Sequence, residues 1–538
     1  MTASLRVSLA TASVLLAATP ALARGQEAPS SAPAPDAEQA APARVDILNY
    51  RVEGNSVLPR IEIERAVYPF LGPGRTTDDV ERARAALEKA YRDRGFQTVA
   101  VRIPQQEVRK GIVRLEVTEL KVGRLRVTGA DWYSPARIKA RAPSLAEGKV
   151  PNYNEVSADI AALNKSRDRV IAPALRAGDT PGTIDVDLEV TDSAPISTTL
   201  ELNDRYSSRT KRLRASASVT YSNLWQRDHS ISIQGQLTPE DPSESWLVSA
   251  SYVAPIAGTP LTLVAYGVHS DSDIAAVGGI NVIGKGDIVG LRAIYSIPGE
   301  RVYQNLTAGI DYKSFGEDLL IGSDSASTPI DYVPLSLAYG LNYRGARAEI
   351  NFNASLNMGL RGLDATEAEF RRKRSRASAN WIYLRSELGL LYRLPAGFEL
   401  SARMAGQLAG EPLISNEQFA IGGLDSVRGY LESQALGDLG YSQQVELVAP
   451  SLLGRGVFQE FRPFLFADMG VTRIIDPLAL GGVVDDGTVL ASAGGGFRLR
   501  AFDHLNIAAL LAVPLRNEAS VPTDVDGIRG QFRLWLSF

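Results

Sequence analysis

The side chains that could do chemistry are few, and their spacing argues against an enzyme. The chain holds three histidines, His229, His269 and His504, and no cysteine. The histidines are scattered and lack the spacing of a metal-ligand set. Without cysteine there is neither a thiolate nucleophile nor a thiolate metal site. No G-x-S-x-G nucleophile elbow occurs. Residues Gly279 to Gly286 read G-I-N-V-I-G-K-G, one step from a phosphate-binding loop, but Gly286 stands where a Ser or Thr must hold the magnesium. That stretch lies in an expected outer loop where no nucleotide is supplied, so it is read as coincidence. The basic run Arg371-Arg372-Lys373-Arg374-Ser375-Arg376 leaves two readings open: contact with lipopolysaccharide phosphates, or a solvated loop. No catalytic residue, no metal and no cofactor are expected.

The bulk properties narrow the setting. At 538 residues several folding units are expected, and a net charge of -4 argues against nucleic acid as a partner. Residues 1–23 read as a signal peptide. Arg6 forms its basic start, Val7 to Ala18 its short apolar run, and Ala21-Leu22-Ala23 its small-x-small cleavage site. The mature chain is expected to begin near Arg24, outside the cytoplasm, and to do without disulfides. No later run approaches the ~18 apolar residues of a membrane helix. Two settings then remain, an exported soluble protein or a membrane barrel, whose hydropathy signal is weak by construction.

Residues 24–43, rich in Ala and Pro, read as a linker without an amphipathic stripe. Residues 44–119 and 120–193 carry mixed helix and strand patterns in the same order twice. The first has a strand around Val45, Ile47 and Tyr50 and a helix near Pro59 to Phe70. An amphipathic helix from Asp78 to Arg94 and strands Thr98 to Ile103 and Ile112 to Val117 complete it. The second opens with Val122 to Val127 and has helical segments near Pro135 to Arg141 and Asn154 to Lys165. It closes with the alternating Ile184 to Val190.

From residue 194 to 538 helical periodicity disappears. Alternating segments such as His229 to Leu237, Val289 to Ile297 and Phe398 to Leu408 recur, about sixteen in all. Their connections alternate as well. Pro255 to Pro260, Pro298 to Glu300, Leu394 to Gly397 and Phe502-Asp503 are short. Ser270 to Lys285, Gly316 to Pro329, Gly362 to Arg374 and Pro412 to Leu436 are long and polar. A soluble sandwich has no reason to segregate its loops in this way. The chain ends I-R-G-Q-F-R-L-W-L-S-F, which places Ile528, Gly530, Phe532, Leu534, Leu536 and Phe538 on one face. Arg529, Gln531, Arg533, Trp535 and Ser537 fall on the other. Trp225, Trp246, Trp381 and Trp535 are read as interface-belt residues.

Two segments carry a family resemblance. The longest loop holds Gly422-Gly423-Leu424-Asp425-Ser426-Val427-Arg428-Gly429-Tyr430. Two strands later comes Phe461-Arg462-Pro463-Phe464-Leu465-Phe466-Ala467-Asp468-Met469-Gly470. Together they resemble the V-R-G-Y/F loop motif and the F-x-D-x-G strand motif of the BamA-like superfamily. The repeated 44–193 region resembles polypeptide-transport-associated (POTRA) domains. With two such units, the chain most resembles the two-partner secretion transporters of the haemolysin and filamentous-haemagglutinin secretion/activation family. The resemblance implies a membrane β-barrel of about 16 antiparallel strands preceded by two small α+β POTRA domains. The loop about 411–437 would fold inward.

By the same resemblance, Val427, Arg428, Gly429 and Tyr430 form the lumen loop motif, and Phe464, Phe466, Asp468 and Gly470 the strand motif that receives it. Arg428 would pair with Asp468 through parallel charge-assisted bonds. Gly429 would allow a tight turn, Tyr430 would pack its ring on the wall with its hydroxyl in water, and Gly470 would let the loop backbone come close. Phe532, Leu534, Leu536 and Phe538 would form the terminal signal read by the barrel-assembly machinery. The N-terminal plug helix of some members would be absent or rudimentary. The implied function is export of an unfolded partner polypeptide, captured by the POTRA domains in the periplasm, through the outer membrane of a Gram-negative bacterium. Its other partners would be outer-membrane lipid and lipopolysaccharide. The rival readings are a barrel-assembly insertase, a passive solute pore and a soluble secreted enzyme.

Overall fold

The computed structural model describes residues 44–538 except 167, 209, 272–273, 278–279, 284, 317, 322–323, 361, 363–365, 455, 478, 481–482, 485 and 517–526. The signal peptide and linker expected over residues 1–43 lie outside the described residues, as do Gly279 and Gly284 of the phosphate-loop-like stretch.

The unit ending at Glu119 contains a three-stranded sheet. Strand Ile112–Glu119 lies at its centre, parallel to Asn49–Glu53 and antiparallel to Val99–Arg102. Every second residue of the central strand, Val113, Leu115 and Val117, is buried. Ala83, Leu87 and Tyr91 of helix Thr77–Asp93 are buried in the same unit at helical spacing. A Thr76–Asp79 capping box starts that helix. A shorter helix, Arg60–Val67, precedes it. A two-residue-wide pairing of Val45–Ile47 with Gly72–Arg75 was not foreseen in the sequence.

Residues 120–192 repeat the plan. Thr183–Asp192 is central, parallel to Lys121–Thr128 and antiparallel to Arg169–Ala177. Helices Pro135–Ala140 and Tyr153–Leu163 complete the unit, whose core includes Val122, Leu125, Ile138, Leu163, Val186 and Leu188. The repetition reaches single residues. Gly54 and Gly129 each follow the first strand with positive φ. A Cβ would lie 2.2 Å from Val117 O in the first case and 2.4 Å from Val190 O in the second. Only glycine fits at either place.

The remaining chain forms a closed antiparallel barrel of 16 strands, from Ile196–Asn203 to Arg529–Ser537. Its eighth strand is split at Val333 into Ile330–Tyr332 and Pro334–Arg344. Closure is made by the register Arg533↔Asn203 to Ser537↔Thr199, shorter than the ladders elsewhere in the wall. Leu263, Leu337, Leu408, Leu465 and Leu511 stand exposed on the outer face. Their strand neighbours, such as Thr262, Ser336, Gln407, Phe466 and Ala512, fall on the opposite, lumen-facing side, the alternation of a barrel wall with a lipid-facing exterior. The connections segregate by length. Pro298 to Glu300 joins its two strands directly, whereas the long connections hold short hairpins, such as Phe419–Ile421 with Ala435–Gly437, and the helix Glu367–Lys373.

Two expectations need correction here. Trp381 is no belt residue: it is buried on the inner face, stacked on Tyr383 at 5.4 Å. Trp535 shares the inner face with Arg533, whose guanidinium lies 4.7 Å from its ring. The basic run is also not one solvated patch. Arg374 turns inward to Asp438 and Lys373 is buried, while Arg371 pairs with Glu367 along the helix.

Candidate functional site

The site lies where residues 410–438, between strands Glu399–Ala409 and Leu439–Val448, fold into the lumen. At its tip Arg428 meets strand Phe458–Arg473. Its Nε donates to Asp468 Oδ2 at 2.7 Å and its Nη2 to Asp468 Oδ1 at 2.7 Å. The Arg428 backbone N–H donates to the same carboxylate at 3.0 Å. The remaining fork, Nη1, donates to Glu446 Oε2 at 2.8 Å. Arg498 faces the other oxygen of Glu446 at 2.5 Å, so two guanidinium and two carboxylate charges balance. The aromatic floor is built by alternation: Arg428 lies 3.8 Å above the Phe466 ring and Arg498 4.8 Å from the Phe464 ring. Burial alone would pull the Arg428 guanidinium down, but Asp468 and Glu446 more than offset it and raise its pKa above the usual arginine value. A bidentate arginine is the side chain best suited to such a pocket.

The flanking motif residues complete the seat. Gly429 has φ +87°, and a Cβ there would lie 2.9 Å from the Ala512 Cβ. Its N–H donates to Gln531 Oε1 of the terminal strand at 2.9 Å. Over Gly470 it is side chains that approach, not the loop backbone: a Cβ would lie 2.8 Å from Val427 Cγ2 and 3.2 Å from Ile421. Tyr430 is fully buried, and its hydroxyl lies 2.9 and 2.8 Å from the Ala491 and Arg516 carbonyls, which share its single proton. The expectation that this hydroxyl stays in water is therefore wrong. The tip is closed over by the wall, and a buried hydroxyl needs protein partners. Of the terminal residues, Phe532, Leu534 and Leu536 alternate with the inward Gln531, Arg533 and Trp535. Phe538 stacks on His504 at 4.9 Å.

Sequence reasoning missed the clamps at the stems of the loop. Glu417, fully buried, accepts from Lys313 Nζ at 2.6 Å and from the hydroxyls of Tyr332 and Tyr383 at 2.6 and 2.7 Å. Burial pushes its carboxyl up, but Lys313 and the two hydroxyls hold it below the ordinary value. Asp438 accepts from Arg374 Nη2 at 2.8 Å and from the backbone N–H groups of Leu413 and Ile475 at 2.9 and 2.7 Å. Midway, Glu432 accepts from Arg205 Nε at 3.1 Å, and Asp425 pairs with both Arg205 and Arg403. One signal was available: the inward loop carries five carboxylates (Glu411, Glu417, Asp425, Glu432 and Asp438), and arginines recur at lumen positions of the wall.

The second α+β unit is joined to the barrel through the turn after strand Arg214–Leu224. Asp228 accepts from Arg169 at 2.9 and 3.1 Å and pairs with Arg141. Gln226 accepts from Ser134 N at 3.0 Å and donates to Trp132 O at 3.1 Å. Trp225, Gln226 and Asp228 all hold positive φ, a strained turn stabilised by these partners. No group of His, Cys, Asp and Glu able to hold a metal occurs among the described residues.

Comparison with known proteins fits this architecture. Residues 182–499 match the model of the haemolysin secretion/activation protein ShlB/FhaC/HecB, and residues 45–119 match the ShlB-type POTRA domain. The outer membrane transporter CdiB of Escherichia coli is 26% identical over 132 residues, 24% of this chain and 22% of that relative. The matched region thus spans less than a quarter of that protein. The fold of CdiB from Escherichia coli superposes with a TM-score of 0.64 at 18% identity, covering 94% of this chain and 93% of that one. CdiB from Acinetobacter baumannii gives 0.55 at 15% identity, covering 92% and 90%. BamA from Haemophilus ducreyi lacking POTRA domains 1-3 gives 0.55 at 16% identity, covering 92% and 100%.

Proposed function

The chain belongs to the haemolysin secretion/activation protein family ShlB/FhaC/HecB, outer-membrane transporters of two-partner secretion, and from that premise we propose that it captures an unfolded partner polypeptide in the periplasm and exports it through the barrel. The observation that carries this reading is the buried Arg428 seat on Asp468 and Glu446. It holds a long loop inside a cylinder of a size that otherwise encloses an aqueous passage. A passive pore has no use for such a stopper. The two α+β units would receive the partner in the periplasm, by addition of one of its strands to an exposed sheet edge. The partner would thread outward extended and fold outside, and that folding would supply the driving force where no ATP is available.

Deleting this chain from its host and comparing secreted and outer-membrane proteins tests the reading. The expected result is loss of one large protein from the medium with unchanged total barrels. A general fall in outer-membrane barrels would favour the insertase reading instead. Arg428→Ala and Asp468→Ala are expected to leave a barrel in the membrane and cripple export.

A further inference from the structure

Resting on the transporter reading above, we propose that the exported polypeptide passes along one particular stretch of lumen wall, an asparagine-lined face on neighbouring strands away from the Arg428 seat. The strands are Val302–Phe315, Pro334–Arg344, Ala348–Gly359 and Trp381–Arg393. Their register sets two adjacent rows. One runs Asn305↔Gly340↔Asn353, the other Asn342↔Asn351↔Gly389. These six residues line a groove of about 430 Å³. Asn342, Asn351 and Asn353 are exposed in it. The glycines keep it shallow: a Cβ on Gly340 would lie 2.6 Å from Asn305 Nδ2, so its absence lets that amide lie flat on the wall.

The chemistry selects the occupant. A carboxamide offers two donors and one acceptor, and a peptide group offers one of each. The wall's own peptide groups are consumed by the barrel ladder, so only its side chains can replace the water that a passing backbone sheds. Amides do this without reading sequence, and the two charges that also line the groove, Glu387 and Arg403, face each other at 3.9 Å and so offset one another. A folded protein has its peptide groups already paired and gains nothing here. An extended chain presents them all. The rest of the lumen is differently equipped. The seat wall has its charges paired with the loop. The wall of Arg214–Leu224 and His229–Leu237 presents mainly hydroxyls, Ser216, Ser218, Thr220, Ser230 and Ser232 beside Gln234 and Gln236, and Thr220 and Ser232 bond each other at 2.6 Å.

Because the chain has no cysteine, single cysteines report position without background. The full-length chain with Asn351→Cys or Ser232→Cys, in liposomes, would be offered an uncharged, unstructured Ser/Gly-rich peptide bearing one activated cysteine. Rates would be normalised to a small thiol reagent. The disulfide adduct should form about tenfold faster at position 351, and adding Asn342→Leu with Asn353→Leu should abolish the difference, whereas Asn342→Gln with Asn353→Gln should preserve it. Equal normalised rates at the two walls, or an advantage that survives the leucines, would overturn the proposal.

A second arm uses cells and the protein identified by the deletion experiment above. The leucine pair should reduce its export about tenfold with a normal, heat-modifiable barrel. Undiminished export would overturn the asparagine path while leaving the transporter reading intact. If the unsubstituted chain exports nothing, the transporter reading fails, and the adduct rates still decide whether this wall takes extended chains.

Discussion

The tip and the stems of the inward loop are held in opposite ways. At the tip the loop brings the cation, and Asp468 and Glu446 of the wall bring the anions. At the stems the loop brings the anions, Glu417 and Asp438, to Lys313 and Arg374. At the seat itself one loop side chain, Arg428, makes every ionic contact with Asp468 and Glu446, while Arg205 and Arg403 hold Glu432 and Asp425 to either side. The stems divide theirs between two carboxylates, each with three or more donors. A segment built this way can lose its tip in a single step while its ends stay fixed to the cylinder.

Removing Arg428 should therefore have the largest effect. Arg428→Ala leaves Asp468 and Glu446 buried near a single remaining cation, Arg498, a change that typically costs about 3–5 kcal/mol. Proteolysis at residues 422–434 should accelerate in this variant while the barrel keeps its heat-modifiable migration. An unaltered cleavage rate would erase the distinction between tip and stem. Next, Glu417→Gln keeps a hydrogen-bond acceptor but removes the charge opposite Lys313. It should destabilise the stem by about 1–3 kcal/mol and leave tip proteolysis near the unsubstituted rate.

Asp228 offers a comparison outside the lumen. Burial pushes its carboxyl up, but Arg169 and Arg141 more than offset this and hold it below its ordinary value of 3.8. A depressed carboxylate contributes stability above the unfolded value, and that contribution disappears as pH falls through the folded one. The junction with the second unit should hold from neutral pH down to about 4 and loosen below it. Asp228→Asn should remove that acid step, as read by cross-linking residue 134 to residue 226. Smallest of all, Thr76→Ala should lower the stability of the first unit by about 1 kcal/mol and change nothing in the loop.

Much of the barrel was legible because alternation is a local property. Leu465, Ala467 and Met469 face out and Phe464, Phe466 and Asp468 face in, as a period of two requires. Strand Arg169–Ala177 was not legible, since Pro173 in its middle reads as a breaker. It is an edge strand, paired on one side only, where a missing N–H is tolerated. Trp381 was misplaced because residue type was read ahead of parity: it shares its face with Tyr383 and Arg385, which point inward. Val427 to Tyr430 and Phe464 to Gly470 come together in space as two recognisable strings. The stem clamps could not be read in that manner, because Lys313 lies 104 residues from Glu417 and neither sits in a motif.

The loop touches both margins of the closing seam. Gly429 binds Gln531 on the final strand, while Arg205 and the Tyr206 carbonyl, just past the first strand, hold Glu432. Its berth is consequently complete only once the two ends of the sheet stand side by side. A half-finished cylinder offers the loop only the Asp468 and Glu446 side of its seat, so docking doubles as an internal latch across the shortest ladder of the wall.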